Sequence, residues 1–202
     1  MILYSIIIVV GTILCALLNI FFNPVGEPWY IYAAYSVAIT LALILIDGLV
    51  AAIIRKIPEK YFLEDRKIFQ LSERQRKFYD FLGVKKWKEK IPELGGFTSF
   101  HKDHVKDPFD IDYVRRFILE ARYGVIIHLW SVPFGFLVVL FDFKMYFGQG
   151  NIFWTIAIPL ALVNAILIVA PAFVLKYNLP KLDKLLRHNT RLRDSANKKS
   201  PN

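Results

Sequence analysis

The sequence predicts an all-α, polytopic membrane protein with four transmembrane helices, a cytoplasmic central loop and a basic cytoplasmic C-terminal helix. Two observations predict it. Four apolar runs, Met1–Phe22, Trp29–Ile54, Val125–Phe141 and Ile152–Leu175, approach or exceed the roughly 20 helical residues that cross a hydrocarbon core about 30 Å thick. Of the 26 Lys and Arg, 17 lie in residues 55–122 and 8 from Lys176 onward, leaving only Lys144 in the short connections. Basic residues stay on the cytoplasmic side, so both termini and the central loop are expected inside.

The first run has neither a basic flank at its start nor a small-residue cleavage pattern at its end, and reads as a retained span. Asn23-Pro-Val-Gly-Glu-Pro28 is a turn rich in helix breakers. Trp29, Tyr30, Tyr32 and Tyr35 open the second span with aromatics suited to the headgroup level, and Arg55-Lys56 stops it. Residues 1–54 thus form one hairpin of spans and 55–122 a cytoplasmic loop of amphipathic helix. Within that loop Ser72 is placed to cap a helix over Glu73–Leu82 and Gly83 to end it, while Ile91-Pro92 and Gly95-Gly96 break the pattern. A further helix is expected from Asp110 or Asp112, running through Glu120 into the third span. Residues 123–175 form the second hairpin. Its last span contains Pro159 and Pro171, which a membrane helix tolerates when the freed carbonyls find partners. Residues 176–202 form a basic cytoplasmic tail: Lys176-Tyr-Asn-Leu-Pro-Lys-Leu182, a basic helix to about Arg193, and disorder from Ser195.

Composition narrows the function. With 55% apolar residues and a mean hydropathy of +0.40, the 202-residue chain is no ordinary soluble domain. Its net charge of +9 is segregated, with 17 basic against 12 acidic residues in the loop and 8 against 2 in the tail. Such segments suit anionic inner-leaflet lipids, to which each Lys or Arg contributes roughly 1 kcal/mol of attraction. Segregation of this kind argues against a nucleic-acid partner. Cys15 is the single cysteine and forms no internal disulfide. The pattern is compatible with a homo-oligomer.

Ionisable side chains inside a span are costly and usually face protein or water. Asp47, Glu120, Arg122 and His128 qualify. Asp47 lies about two turns before Arg55 and needs no function beyond packing. His128 must satisfy a ring donor and acceptor, either by bonding another span, for instance through Asn164, or by catalysis. On a straight helix Glu120 and His128 are separated by about 80° and about 12 Å, too far for a direct hydrogen bond. Arg122 stays charged and is better suited to contact an anion than to carry a proton.

Other chemistry is missing. His101-Lys-Asp-His104 is only loosely a metal pair, and no metal site is expected. Lys106 stands where a His-x4-Asp acyltransferase motif would need its Asp, and there is neither a phosphate loop nor a Gly-x-Ser-x-Gly elbow. Lys85-Lys86-Trp87-Lys88 combines a basic stem with an aromatic wedge, as an interfacial anchor does.

Taken in order, Arg55-Lys-Ile-Pro-Glu-Lys-Tyr-Phe62, Leu82-Gly-Val-Lys-Lys-Trp-Lys-Glu-Lys-Ile-Pro-Glu93, Phe117-Ile-Leu-Glu120 with His128, and Lys176-Tyr-Asn-Leu-Pro-Lys-Leu182 resemble the glycosyl-diaponeurosporenoate acyltransferase family of bacterial membrane proteins. The resemblance covers roughly Arg55 to Arg187, and Lys-Lys-Trp-Lys is its most specific piece. It implies carotenoid biosynthesis: transfer of a fatty acyl group onto a sugar hydroxyl of a carotenoid glycoside at the inner leaflet of the cell membrane. Glu120 and His128 match the family's Glu…His pattern, and Trp87, Pro92, Asn178 and Pro180 its other fixed points. Val125 stands where the family pattern has a second Glu, and Lys-Tyr-Asn-Leu-Pro-Lys replaces a more Arg-rich signature.

The expectation is a membrane O-acyltransferase acting on a hydroxyl of a glycolipid or isoprenoid glycoside. His128 and Glu120 are its catalytic candidates. Arg122, Lys85, Lys86, Trp87, Lys88, Asn164 and Asn178 are its substrate-binding candidates. No cofactor is expected to stay bound, and a coenzyme A thioester suits the role of acyl donor. The alternative, favoured by Val125, is a non-catalytic lipid-binding or assembly subunit.

Overall fold

The computed structural model describes residues 2–24, 26–63, 66–88, 105, 107–139 and 152–199. The described residues contain no strand. In order the helices are α1 (Ile2–Phe22), α2 (Trp29–Ile54), α3 (Lys60–Leu63), α4 (Glu73–Phe81), α5 (Val84–Trp87), α6 (Ile111–Gly135) and α7 (Ile152–Lys199), with a 3-10 turn, Phe136–Val139, continuing α6. Four stretches are long and apolar enough to cross a membrane: Tyr4–Phe22, Trp29–Ile54, Ile111–Val139 and Trp154–Ser195. The all-α, four-span class therefore holds. Pro92, Gly95, Gly96 and the His101–His104 pair lie outside the described residues.

The chain forms two compact units, Met1–Lys56 with Ile127–Ala170, and Ile57–Ile126 with Pro171–Asn202. In the first unit the buried positions of α2, among them Tyr32, Ser36, Ile39 and Leu43, recur every three or four residues and so form one stripe. Tyr32, Ile39 and Leu43 of this stripe pack with Cys15, Val138, Ile156, Ala157, Leu160 and Ala161. Val9, Val10, Ile13, Leu17, Leu41 and Leu45 point outward instead, as lipid-facing residues must.

Because lipid removes the hydrophobic drive between helices, polar contacts and close packing join them. Thr12 and Thr40 hydroxyls meet at 2.8 Å between α1 and α2. Proline accounts for two further contacts. Pro159 has no N–H to give to the carbonyl of Thr155, four residues earlier. Asn19 Nδ2 of α1 supplies it instead at 3.1 Å. The carbonyl of Leu167, four residues before Pro171, receives the Tyr4 hydroxyl at 3.2 Å. The turn after α1 bends at Asn23 (φ 39°), whose Oδ1 accepts the Tyr32 hydroxyl at 2.7 Å.

In the second unit local chemistry sets the short helices. Ser72 Oγ accepts from the Gln75 amide and Gln75 Oε1 from the Ser72 amide, a full capping box at the start of α4. Gly83, at φ 65°, takes the left-handed turn that joins α4 to α5. Asp110 Oδ1 accepts from the amides of Asp112 and Tyr113 and so caps α6. Val114, Phe117, Ile118 and Leu119 of α6 and Leu179 and Leu182 of α7 are buried.

One sequence expectation is corrected. The sequence separates the fourth span from a basic helix at Lys176–Leu182 and predicts disorder from Ser195, but α7 is a single helix of 48 residues ending at Lys199, and residues 200–202 lie outside the described residues. Proline fixes φ at a value a helix already uses, so Pro180 costs one hydrogen bond and local crowding rather than the helix itself. Buried Leu179 and Leu182 on either side of it hold the helix in place.

Candidate functional site

Polar side chains gather separately in each unit. In the second unit the centre is Arg122, only 5% exposed. Its Nη1 donates to the carbonyls of Phe62 at 2.8 Å and Leu63 at 3.0 Å, the last two residues of α3. Those carbonyls have no partner within their own helix and lie at its negative end, which a guanidinium satisfies on both counts. Nη2 donates to Asp183 Oδ1 of α7 at 3.2 Å, and the guanidinium lies 5.2 Å from the centre of the Phe69 ring. Tyr123, next along α6, stacks on Phe62 at 3.9 Å and donates its hydroxyl to the Ile57 carbonyl at 2.9 Å. Arg122 and Tyr123 thereby hold the 57–63 segment against α6.

Glu120 is buried too, and Arg116 Nη2 reaches its Oε1 at 2.9 Å. Arg116 is half exposed and also lies 3.6 Å from Glu59. Glu120 is thus an enclosed carboxylate with a cationic partner at its mouth.

The second group in this unit joins α4 and α5 to α7. Trp87 Nε1 donates to the Leu82 carbonyl at 2.9 Å, which fastens α5 back onto the end of α4. The next residue, Lys88, donates Nζ to Asn178 Oδ1 at 3.4 Å. This contact unites two of the sequence-predicted residues, ninety positions apart in the chain. Beside it Tyr79 packs on Phe173 at 4.9 Å and Tyr177 at 6.5 Å, and burial pushes its phenol above the usual value. Lys176 is buried one turn from Phe173, and Lys181 lies over the Tyr177 ring at 5.3 Å. Lys85 and Lys86 remain exposed on α5. The arrangement can present ammonium groups and an amide to an anionic headgroup.

In the first unit His128 is half-buried on α6, and buried Ser131 follows it by one turn on the same face. Ser131 and Asn164 of α7 are the polar side chains beside Asp47 on α2. Asp47 Oδ1 is enclosed, with no partner among the described residues. Gly135 makes room for this group, since a Cβ there would lie 3.2 Å from Asn164 Nδ2 and 3.6 Å from Leu43. Val125, one turn before His128, is fully buried.

Sequence reasoning passed over Asp183 and the Tyr79–Phe173–Tyr177 packing. Asp183 had a signal: it is the one acid between Lys176 and Arg193 in an otherwise basic helix. An open notch of about 380 Å³ beside Phe109, Asp112, Asn189 and Arg193 gathers none of the candidate residues, and the nearby Asp110 is occupied in capping α6.

No curated protein and no solved structure matches the chain. The family model of the glycosyl-4,4'-diaponeurosporenoate acyltransferases matches residues 58–188, a stretch that contains Lys85–Lys88, Glu120, Arg122, His128, Asn164 and Asn178. With most of its length matched, the chain belongs to the glycosyl-4,4'-diaponeurosporenoate acyltransferase family.

Proposed function

We propose that the protein is a membrane O-acyltransferase, transferring a fatty acyl group to a hydroxyl of a glycolipid or isoprenoid glycoside at the cytoplasmic face of the cell membrane. Membership of the family over residues 58–188 carries the reading. The contact of Lys88 with Asn178 supports it, because it joins two family-like segments into one polar surface.

In this mechanism the His128 imidazole takes the proton of the acceptor hydroxyl as its oxygen attacks the carbonyl of an acyl thioester, such as a coenzyme A ester. The C–S bond breaks as the ester C–O bond forms, and the imidazolium returns the proton to the departing thiolate. An imidazole suits both transfers, since the ring nitrogen that accepts the proton can give it back. Glu120 holds a sugar hydroxyl. Lys85, Lys86, Trp87, Lys88 and Asn178 hold the anionic head of the donor, while Arg122 and Asn164 position the groups around them. Anionic inner-leaflet lipids are the surrounding partners.

Val125 favours a second reading, a lipid-binding or assembly subunit without catalysis, since it stands where the family pattern has a Glu that would share a helix face with His128 and orient its ring. Mass spectrometry of lipid extracts from hosts with the gene intact, deleted, or carrying His128→Ala separates the two. Loss of the same acylated glycolipid in both altered strains upholds the enzyme, and the mass difference names the acyl group. A loss on deletion alone removes His128 from the chemistry, and no change in either strain favours the subunit.

A further inference from the structure

Helix α4 is built with two faces. Its capping box fixes its start and Tyr79 turns inward onto Phe173, which sets the rotation of the helix about its axis. At 100° per residue, Arg74, Phe78, Phe81 and Leu82 then fall within one sector about 100° wide, with Lys77 about 40° beyond its Phe81 edge and Arg76 on the opposite side. Among the described residues most of that sector is open, with only the Phe78 ring meeting Phe173, edge to face at 6.2 Å. Phe78 is 49% exposed, Phe81 85% and Leu82 38%. Arg74 and Lys77 are exposed as well.

Burying phenylalanine is favourable, so two exposed rings and the adjoining Leu82 on an otherwise polar helix are a standing cost in water. Exposed apolar groups arranged in a contiguous stripe mark an interaction surface. The chemistry of the rim selects the occupant. Arg74 lies within the sector and Lys77 beside it, and no acid shares the sector, since Glu73 and Asp80 project to the other side. An apolar stripe bordered by cations is the pattern of a helix lying in an anionic lipid interface, with its rings at the acyl boundary and its cations among phosphates.

We propose that α4 docks on an anionic bilayer surface, with Phe78, Phe81 and Leu82 inserted below the headgroups and Arg74 and Lys77 paired with lipid phosphates. The inference is independent of the acyltransferase reading. It makes α4 a fastening that keeps the α4–α5 turn, with Lys85 to Lys88, beside lipid.

Spin labels test it in the full chain with Cys15→Ala as background, placed singly at Phe78→Cys, Phe81→Cys and Arg76→Cys. The protein is reconstituted into nanodiscs of phosphatidylcholine with or without phosphatidylglycerol. Collisions with oxygen should exceed those with a water-soluble nickel chelate at positions 78 and 81, and the order should reverse at 76. Phosphatidylglycerol should deepen the labels at 78 and 81, and Arg74→Gln with Lys77→Gln should cancel that shift. Chelate access at position 81 equal to that at 76 would put the face in water and overturn the proposal. Shielding of position 81 from both reagents would overturn it in favour of a protein covering, either a second copy or another segment of the chain.

Discussion

Asn19 of α1 donates its side-chain amide to the carbonyl of Thr155 at 3.1 Å, the acceptor that Pro159 deprives of its usual donor. The same Asn19 amide also reaches the Cys15 carbonyl at 2.8 Å, so one side chain serves the backbone of two helices. Tyr4 repeats the device on the Leu167 carbonyl, a turn before Pro171. Helix α1 is in this way matched to the prolines of α7, and the two contacts fix its register along the first unit.

Asn19→Leu should lower stability by about 1 kcal/mol, the usual net worth of such a bond, and Tyr4→Phe by a similar or smaller amount. Unfolding in mixed micelles measures both. The specific expectation is coupling: Pro159→Ala restores the intrahelical bond, so Asn19→Leu should cost measurably less in that background than in the native chain. Equal cost in both backgrounds would mean that Asn19 stabilises through its other bond alone.

Arg122→Met should be the most damaging substitution in the second unit. It strips the α3 carbonyls and Asp183 of their donor, and breaking a buried charge pair costs about 3–5 kcal/mol. The low end applies because Asp183 is 22% exposed. Arg122→Lys should recover little, since one ammonium cannot serve two carbonyls and a carboxylate in the fork geometry of a guanidinium. Thermal unfolding checks this. A stable Arg122→Met protein that has lost only activity would return Arg122 to the substrate-contacting role the sequence suggested.

The α4–α5 turn allows a local test. Ser72→Ala should cost about 1 kcal/mol by removing the cap. Gly83→Ala should cost roughly 1–2 kcal/mol through its left-handed backbone. Sterics add nothing there, because the nearest atom to a new Cβ is Lys86 Cδ at 4.0 Å. Hydrogen exchange is the readout: both changes should speed exchange in Gln75–Leu82 and leave α2 unaffected. Uniform acceleration would show that α4 unfolds only with the whole chain.

These features were not equally legible in the sequence. The cap at Ser72, the stop at Gly83, the start of α6 at Asp110 or Asp112 and the limits of α2 rest on residues a few positions apart, and each follows from local chemistry. Arg122 stands out in the sequence as a charge at the edge of a span suited to an anion, but its partner Asp183 is 61 residues away, and nothing in the spacing of either residue points to the other. The continuity of α7 was hidden for a related reason. Pro180 and a polar stretch look like a boundary, while what keeps the helix intact is the burial of Leu179 and Leu182 and the packing of Tyr177 on Tyr79. Long-range partners decide both cases, and a single sequence lists residues without pairing them.

The contact of Lys88 with Asn178 gives the sharpest test of the candidate donor surface. At 3.4 Å and partly buried it is a long bond, so its loss should change stability by less than about 1 kcal/mol. Activity should respond differently. If the two side chains hold one headgroup together, Lys88→Met and Asn178→Leu should each reduce acylated product by about tenfold, equivalent to roughly 1.4 kcal/mol at the transition state. The double variant should then lose little more than either single one, because groups that act as a unit are not additive. A hundredfold loss in the double variant would assign them independent roles, and full activity in both singles would leave the contact as a clasp between α5 and α7.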